Sequence, residues 1–92
     1  MSEKNLQKRI LALCAEKGIL AIKVDSSSCR GWPDITAILP DGQVLFVELK
    51  TEAGVISALQ SRMHRNIKKN NGEIYVIRNY TEFERLITRF TE

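Results

Sequence analysis

Two apolar runs, Asp34 to Leu39 and Val44 to Lys50, flank the tripeptide Pro40-Asp41-Gly42. A proline, an aspartate and a glycine between alternating segments are a strong signal for a hairpin turn. A three-residue loop with Gly42 in the left-handed conformation is a favoured way to close such a hairpin. Leu39 then faces Gln43, and counting back sets Asp34 opposite Glu48. A two-residue loop would slip the pairing by one and bring Asp34 opposite Leu49, whose side chain points to the other face. The turn therefore decides which side chains share a surface.

The remaining elements follow from periodicity and punctuation. A helix is expected from about Ser2, a candidate N-cap, to Lys17, with Gly18 as its stop and Leu6, Ile10, Leu13, Cys14 and Lys17 at helical spacing. Ile19 to Val24 reads as a strand and Asp25 to Trp32 as a polar loop. Ile56 to Asn70 reads as a second helix, with Ile56, Leu59, Met63 and Ile67 on its inner face and Asn71-Gly72 ending it. Glu73 to Arg78 reads as a fourth strand. Thr81 is a candidate cap for a last helix carrying Phe83, Leu86, Ile87 and Phe90. The order α-β-β-β-α-β-α predicts an antiparallel meander joined by a parallel fourth strand, giving a mixed α/β sheet flanked by helices.

Ninety-two residues, 43% hydrophobic and 27% charged, fit one globular domain spanning 1–92. No apolar run is long enough to cross a bilayer and no secretory leader is recognisable, so the expected location is cytoplasmic. Cys14 and Cys29 match no zinc spacing and are too few for a disulfide framework. A net charge of +3 is compatible with a nucleic-acid partner without requiring one.

The chemistry gathers on the hairpin. Glu48 and Lys50 are two apart in a strand and share a face, while Leu45, Val47 and Leu49 point to the core. Charges within so apolar a strand are costly unless paired or bound to metal. Cross-strand partners lie roughly 4.5–5.5 Å apart at Cβ, so Asp34 and Glu48 can share one divalent cation. Oxygen ligands with open positions suit Mg²⁺ or Mn²⁺. The alternative is plainer: Asp34 ends a turn, and Glu48 and Lys50 form an ordinary surface pair.

Asp34 followed after a short hairpin by Glu48-Leu49-Lys50 resembles the signature of the PD-(D/E)XK nucleases, with Pro33-Asp34 supplying its first two letters. Gly31-Trp32-Pro33-Asp34, Glu48-Leu49-Lys50 and Gln60 on the next helix resemble one branch in particular, the virus-type replication-repair nuclease (VRR-NUC) domain. The resemblance implies a restriction-endonuclease-like α-β-β-β-α-β core. It implies hydrolysis of DNA phosphodiesters with Mg²⁺ or Mn²⁺, held by Asp34, Glu48 and the Leu49 carbonyl. Lys50 would be the catalytic lysine and Gln60 a further site residue. A helical glutamate often stands near the metal in this family, and Glu3 matches it better than Gln7 or Glu16. Small stand-alone members imply a homodimer that resolves branched DNA such as four-way (Holliday) junctions, in the host cytoplasm if the chain is phage-encoded. The alternative is a catalytically inactive DNA-binding module of the same fold. Ser26, Ser27 and Arg30 are candidates to touch phosphates, as are Arg62, Arg65 and Lys68 on the second helix. Trp32 is left open between stacking on DNA, a dimer contact and plain packing. His64 is expected at the surface, and the last helix is expected to supply the apolar patch for association.

Overall fold

The computed structural model describes residues 2–25 and 27–91. Ser26, one of the phosphate-contact candidates, lies outside the described residues. Helix α1 runs Glu3–Glu16, followed by strands β1 (Leu20–Lys23), β2 (Ile35–Ile38) and β3 (Val44–Leu49), helix α2 (Ala58–Lys69), strand β4 (Glu73–Ile77) and helix α3 (Tyr80–Thr91). The expected α-β-β-β-α-β-α order is therefore realised.

Capping fixes the helix starts. Ser2 accepts from the Asn5 N–H at α1, and Gly18, at φ +72°, releases the chain from α1 towards β1. Asn79, rather than Thr81, caps α3: its side-chain oxygen accepts from the Glu82 N–H at 2.9 Å. The helix thus begins one residue before Thr81, because Asn79 sits where its amide oxygen reaches the third N–H onward.

The sheet order is β1-β2-β3-β4, antiparallel through β3 and parallel between β3 and β4. The hairpin closes as expected: the Leu39 N–H donates to the Gln43 carbonyl at 2.8 Å, and Gly42 has φ +91°. The pairing runs from Ile38 with Val44 to Ile35 with Val47. One step further, Asp34 stands opposite Glu48.

Alternation then sorts the two faces of the sheet. Ile35, Ala37, Leu45, Val47 and Leu49 are buried in one core with Leu6, Ile10, Leu13 and Cys14 of α1 and Phe83, Leu86 and Ile87 of α3. Arg9 of α1 lies 4.0 Å from the ring centre of Tyr80, tying the two helices together. Lys17, at the end of the α1 stripe, is exposed instead of buried. The other face carries Glu48, and α2 packs over β4 on that side.

Two helix faces differ from expectation. Leu59 of α2 is 45% exposed, and the buried residues of that helix are His64 and Ile67. The inner stripe is rotated towards Gln60-His64-Ile67, because α2 lies against a sheet face whose centre is a carboxylate rather than hydrocarbon. The proposed apolar patch on α3 does not exist, since Phe83, Leu86 and Ile87 are spent in the core. Among the described residues, the large apolar side chains that are exposed are Leu20, Ile22, Val55 and Leu59. Cys14 is buried in an apolar setting that pushes its thiol up to about 11, and Cys29 is exposed, so the two form no disulfide.

Candidate active site

The ladder explains why Asp34 and Glu48 meet. Leu39–Gln43 is a hydrogen-bonded pair, so by alternation Pro33–Leu49 is one as well and Asp34–Glu48 is a non-bonded pair. Side chains of non-bonded pairs approach more closely. Proline has no N–H, so Pro33 cannot donate to the Leu49 carbonyl. The Leu49 N–H, which the same pairing would direct at Pro33, is taken by Asp34 Oδ2 at 2.7 Å. The Pro-Asp dipeptide thus leaves the Leu49 carbonyl without its ladder donor and anchors one carboxylate at the end of β2.

Glu48 is 1% exposed. A surface pair with Lys50 is excluded by that burial, because an ionised carboxylate so far from water costs several kcal/mol unless compensated. Desolvation, the hydrogen-bonding proximity and charge of Asp34, and the charge of Glu3 push its pKa up to about 9, against a smaller opposing pull from Lys50. Oε2 accepts from Gln60 Nε2 at 3.2 Å, whereas Oε1 has no hydrogen-bond partner. A buried, orphaned carboxylate oxygen beside a second carboxylate is a donor set that fits a hard divalent cation. Among the described residues no group of three or more His, Cys, Asp and Glu side chains can hold an ion. The set therefore consists of two carboxylates and backbone, an arrangement that suits Mg²⁺ because it retains several waters.

Gln60 is the third residue of α2 and is held by a capping box. Its Oε1 accepts from the Ser57 N–H at 2.9 Å while Ser57 Oγ accepts from its backbone N–H. With Oε1 taken, only Nε2 can face Glu48. Ser57-x-x-Gln60 is a capping signature readable in the sequence, and it was the missed signal that sets the orientation of this amide.

His64, expected at the surface, is 9% exposed and sits one turn beyond Gln60 with Nε2 3.6 Å from Glu48 Oε1. Burial, helped by the charge of Lys68, holds the imidazole below its ordinary range. Burial drives both partners towards their neutral forms, so this contact is not an ion pair.

Glu3 is exposed at the start of α1, and its charge reaches Glu48. Glu16 ends the same helix, thirteen residues on and roughly 20 Å away at 1.5 Å per residue. Gln7 is half-buried one turn after Glu3. Lys50 is half-buried on the Glu48 side of β3.

The basic candidates divide into two groups. Ser27 and Arg30 join Gly31, Ser57, Leu59 and Gln60 around an open polar depression of about 420 Å³ that reaches the site through Gln60. Arg65 and Lys68 line a similarly open depression on α2 with Asn66 and Lys69, and Arg62 is exposed on the same helix. Gly31 binds the loop to α2: at φ +87°, a Cβ there would lie 2.7 Å from the Leu59 carbonyl oxygen. Trp32 is half-buried, edge-on to Phe46 with ring centres 5.5 Å apart, and lines an apolar cavity of about 370 Å³ with Met63 and Ile67. Within the chain it therefore packs on Phe46 while still lining an open apolar surface.

No family sequence model and no curated protein matches the chain. A solved structure described as a VRR_NUC domain is 28% identical, superposes with a TM-score of 0.86, and is matched over 96% of this chain and 96% of its own. With the motif residues, the element order and the superposition in agreement, this chain carries the VRR-NUC fold.

Proposed function

We propose that the protein is an Mg²⁺- or Mn²⁺-dependent DNA endonuclease with Asp34, Glu48, Lys50 and Gln60 at its active site. The observation that carries this reading is the buried Glu48 carboxylate, opposite Asp34, with one oxygen lacking any hydrogen-bond partner. Asp34, Glu48 and the Leu49 carbonyl would hold the cation. Glu3 would add an acidic group at its rim, as a ligand or as an acceptor for its waters. When bound, such a cation supplies Lewis acidity, drawing charge from a phosphoryl oxygen and making water a better nucleophile at neutral pH.

The protein's own groups do the rest. Asp34 is fixed by the Leu49 N–H and Glu48 by Gln60, so the two carboxylates enter the reaction already positioned. Lys50, half-buried just past the end of β3 and two residues from Glu48, would orient the attacking water or stabilise charge on the scissile phosphate. Arg30 with Ser27, and Arg62, Arg65 and Lys68, would hold phosphates on either side of the site.

Branched DNA as substrate and a homodimer as the working form rest on the resemblance of this small chain to junction-resolving members of the family. Two sites related by a two-fold axis would cut paired strands. With α3 committed to the core, the surface for a second copy would be the open part of the Glu48 face. There the register brings Leu20 and Ile22 beside Ile38, Val44 and Phe46.

The test is cleavage of a labelled four-way junction beside a flap, a single strand and a linear duplex of the same sequence, with Mg²⁺, Mn²⁺ or EDTA. Paired, metal-dependent cuts confined to the junction are the expected result. Cutting mainly at the flap or single strand would keep the nuclease and overturn the junction preference. Salt-sensitive binding without any cutting would instead mark an inactive binding module.

A further inference from the structure

Two polar atoms in the site are buried without a hydrogen-bond partner, Glu48 Oε1 and His64 Nε2, and they face each other at 3.6 Å. A buried polar atom without a partner is unfavourable, so two such atoms aimed at one another are a contact waiting to shorten rather than two independent defects. The other Glu48 oxygen is already held, by Gln60 at 3.2 Å. Gln60 and His64 stand four residues apart on α2 and so project from consecutive turns of one face. The capping box fixes Gln60 from behind, and the first turn of α2 is pinned by the approach of Gly31 to the Leu59 carbonyl. One rigid helix therefore presents two side-chain nitrogens to the two oxygens of a single carboxylate.

We propose that His64 is a positioning residue for the metal site, its Nε2–H holding Glu48 Oε1 while Gln60 holds Oε2, so that the carboxylate offers its remaining lone pairs to the cation in one fixed orientation. A carboxylate has about four lone-pair sites, so two donors leave room for a metal. Outer hydrogen bonds of this kind orient ligands, and their loss typically lowers metal affinity about 10- to 100-fold. This role rests on the nuclease reading given above.

The test is Mn²⁺ affinity of the DNA-free protein, read from the electron paramagnetic resonance signal of free Mn²⁺, for wild type, His64→Gln, His64→Asn and His64→Leu. Glutamine carries an amide N–H about as far from the backbone as Nε2, whereas asparagine reaches only as far as Nδ1. The expected result is affinity within a few-fold of wild type for His64→Gln and a loss of about 10- to 100-fold for His64→Asn and His64→Leu. Should His64→Leu fail to fold, the glutamine–asparagine contrast still decides, because those two differ mainly in reach. Equal affinity in His64→Gln and His64→Asn would overturn the proposal, as would a His64→Leu protein that binds like wild type. Wild-type protein that binds no Mn²⁺ would overturn the nuclease reading itself, and the role of His64 with it.

Discussion

Burial beside Asp34 strips hydration from Glu48, and the consequence for stability has a definite sign. The folded protein without metal retains a proton on this carboxyl up to about pH 9, whereas the unfolded chain loses it above an ordinary value of 4.5. The raised value contributes stability that is complete below 4.5 and is lost progressively as the pH climbs towards 9. Urea denaturation of the metal-free protein at two pH values inside this window is expected to show the lower stability at the higher pH. Glu48→Gln, which cannot ionise and still accepts from Gln60, should remove that part of the slope. Mn²⁺ must displace the same proton, so its stabilising effect on the wild type should grow with pH. At Gly31 the constraint is steric: Gly31→Ala meets the Leu59 carbonyl oxygen at 2.7 Å with φ in the left-handed region. A loss of about 1–3 kcal/mol in urea unfolding is expected. Ala at this position with unchanged stability would show that the loop and α2 are not locked together.

The segment between β3 and α2 carries the chain from Lys50 to the capping box. Arg78, at the end of β4, donates to the carbonyls of Thr51 at 2.8 Å, Gly54 at 2.6 Å and Glu52 at 3.5 Å, and Asn79 Nδ2 donates to Glu52 Oε1 at 3.0 Å. The Arg78 contacts all come from Nη1, whose two N–H donors thereby organise a loop that has little core of its own. Arg78→Met is therefore expected to raise hydrogen exchange across residues 51–57 while leaving the amides of β2 and β3 protected. Uniform protection would show that the segment holds itself. Ser57→Ala removes one side of the capping box and should cost about 1 kcal/mol. It should also lower Mn²⁺ affinity, because Gln60 loses its constraint. These elements show where sequence reasoning reaches and where it stops. The hairpin register, and with it the meeting of Asp34 and Glu48, was legible because turn chemistry and strand alternation are local. The burial of His64 was not legible, because helical periodicity scored Leu59 and Met63 as the inner face. Only the carboxylate on the facing sheet turns α2 towards Gln60 and His64. Arg78 was missed for a similar reason: its acceptors are carbonyls more than twenty residues away, which no spacing rule reveals.

At the scale of the whole molecule, one face of the sheet is closed by α1 and α3 and the other is only partly covered by α2, leaving Leu20 and Ile22 at 61% and 50% exposure on the edge strand β1. An edge strand with exposed apolar side chains is a natural site of association. Light scattering is expected to give twice the mass of one 10.5 kDa chain, and the pair Leu20→Lys with Ile22→Lys is expected to return it to the monomer. A wild-type monomer that still makes paired junction cuts would remove the symmetric model. The last helix illustrates how topology overrides composition. Phe83, Leu86 and Ile87 form an amphipathic stripe that reads equally well as interface or core, and only the three-dimensional packing with α1 assigns it to the core. Whether Asp34 and Glu48 form a cation-dependent site that hydrolyses DNA is decided by cleavage of a labelled junction by wild type and Glu48→Ala side by side, with Mn²⁺ and with EDTA. Cutting is expected from wild type with Mn²⁺, none with EDTA, and none from Glu48→Ala although it still binds the DNA. Cleavage by Glu48→Ala at the wild-type rate, or by wild type in EDTA, would contradict that assignment.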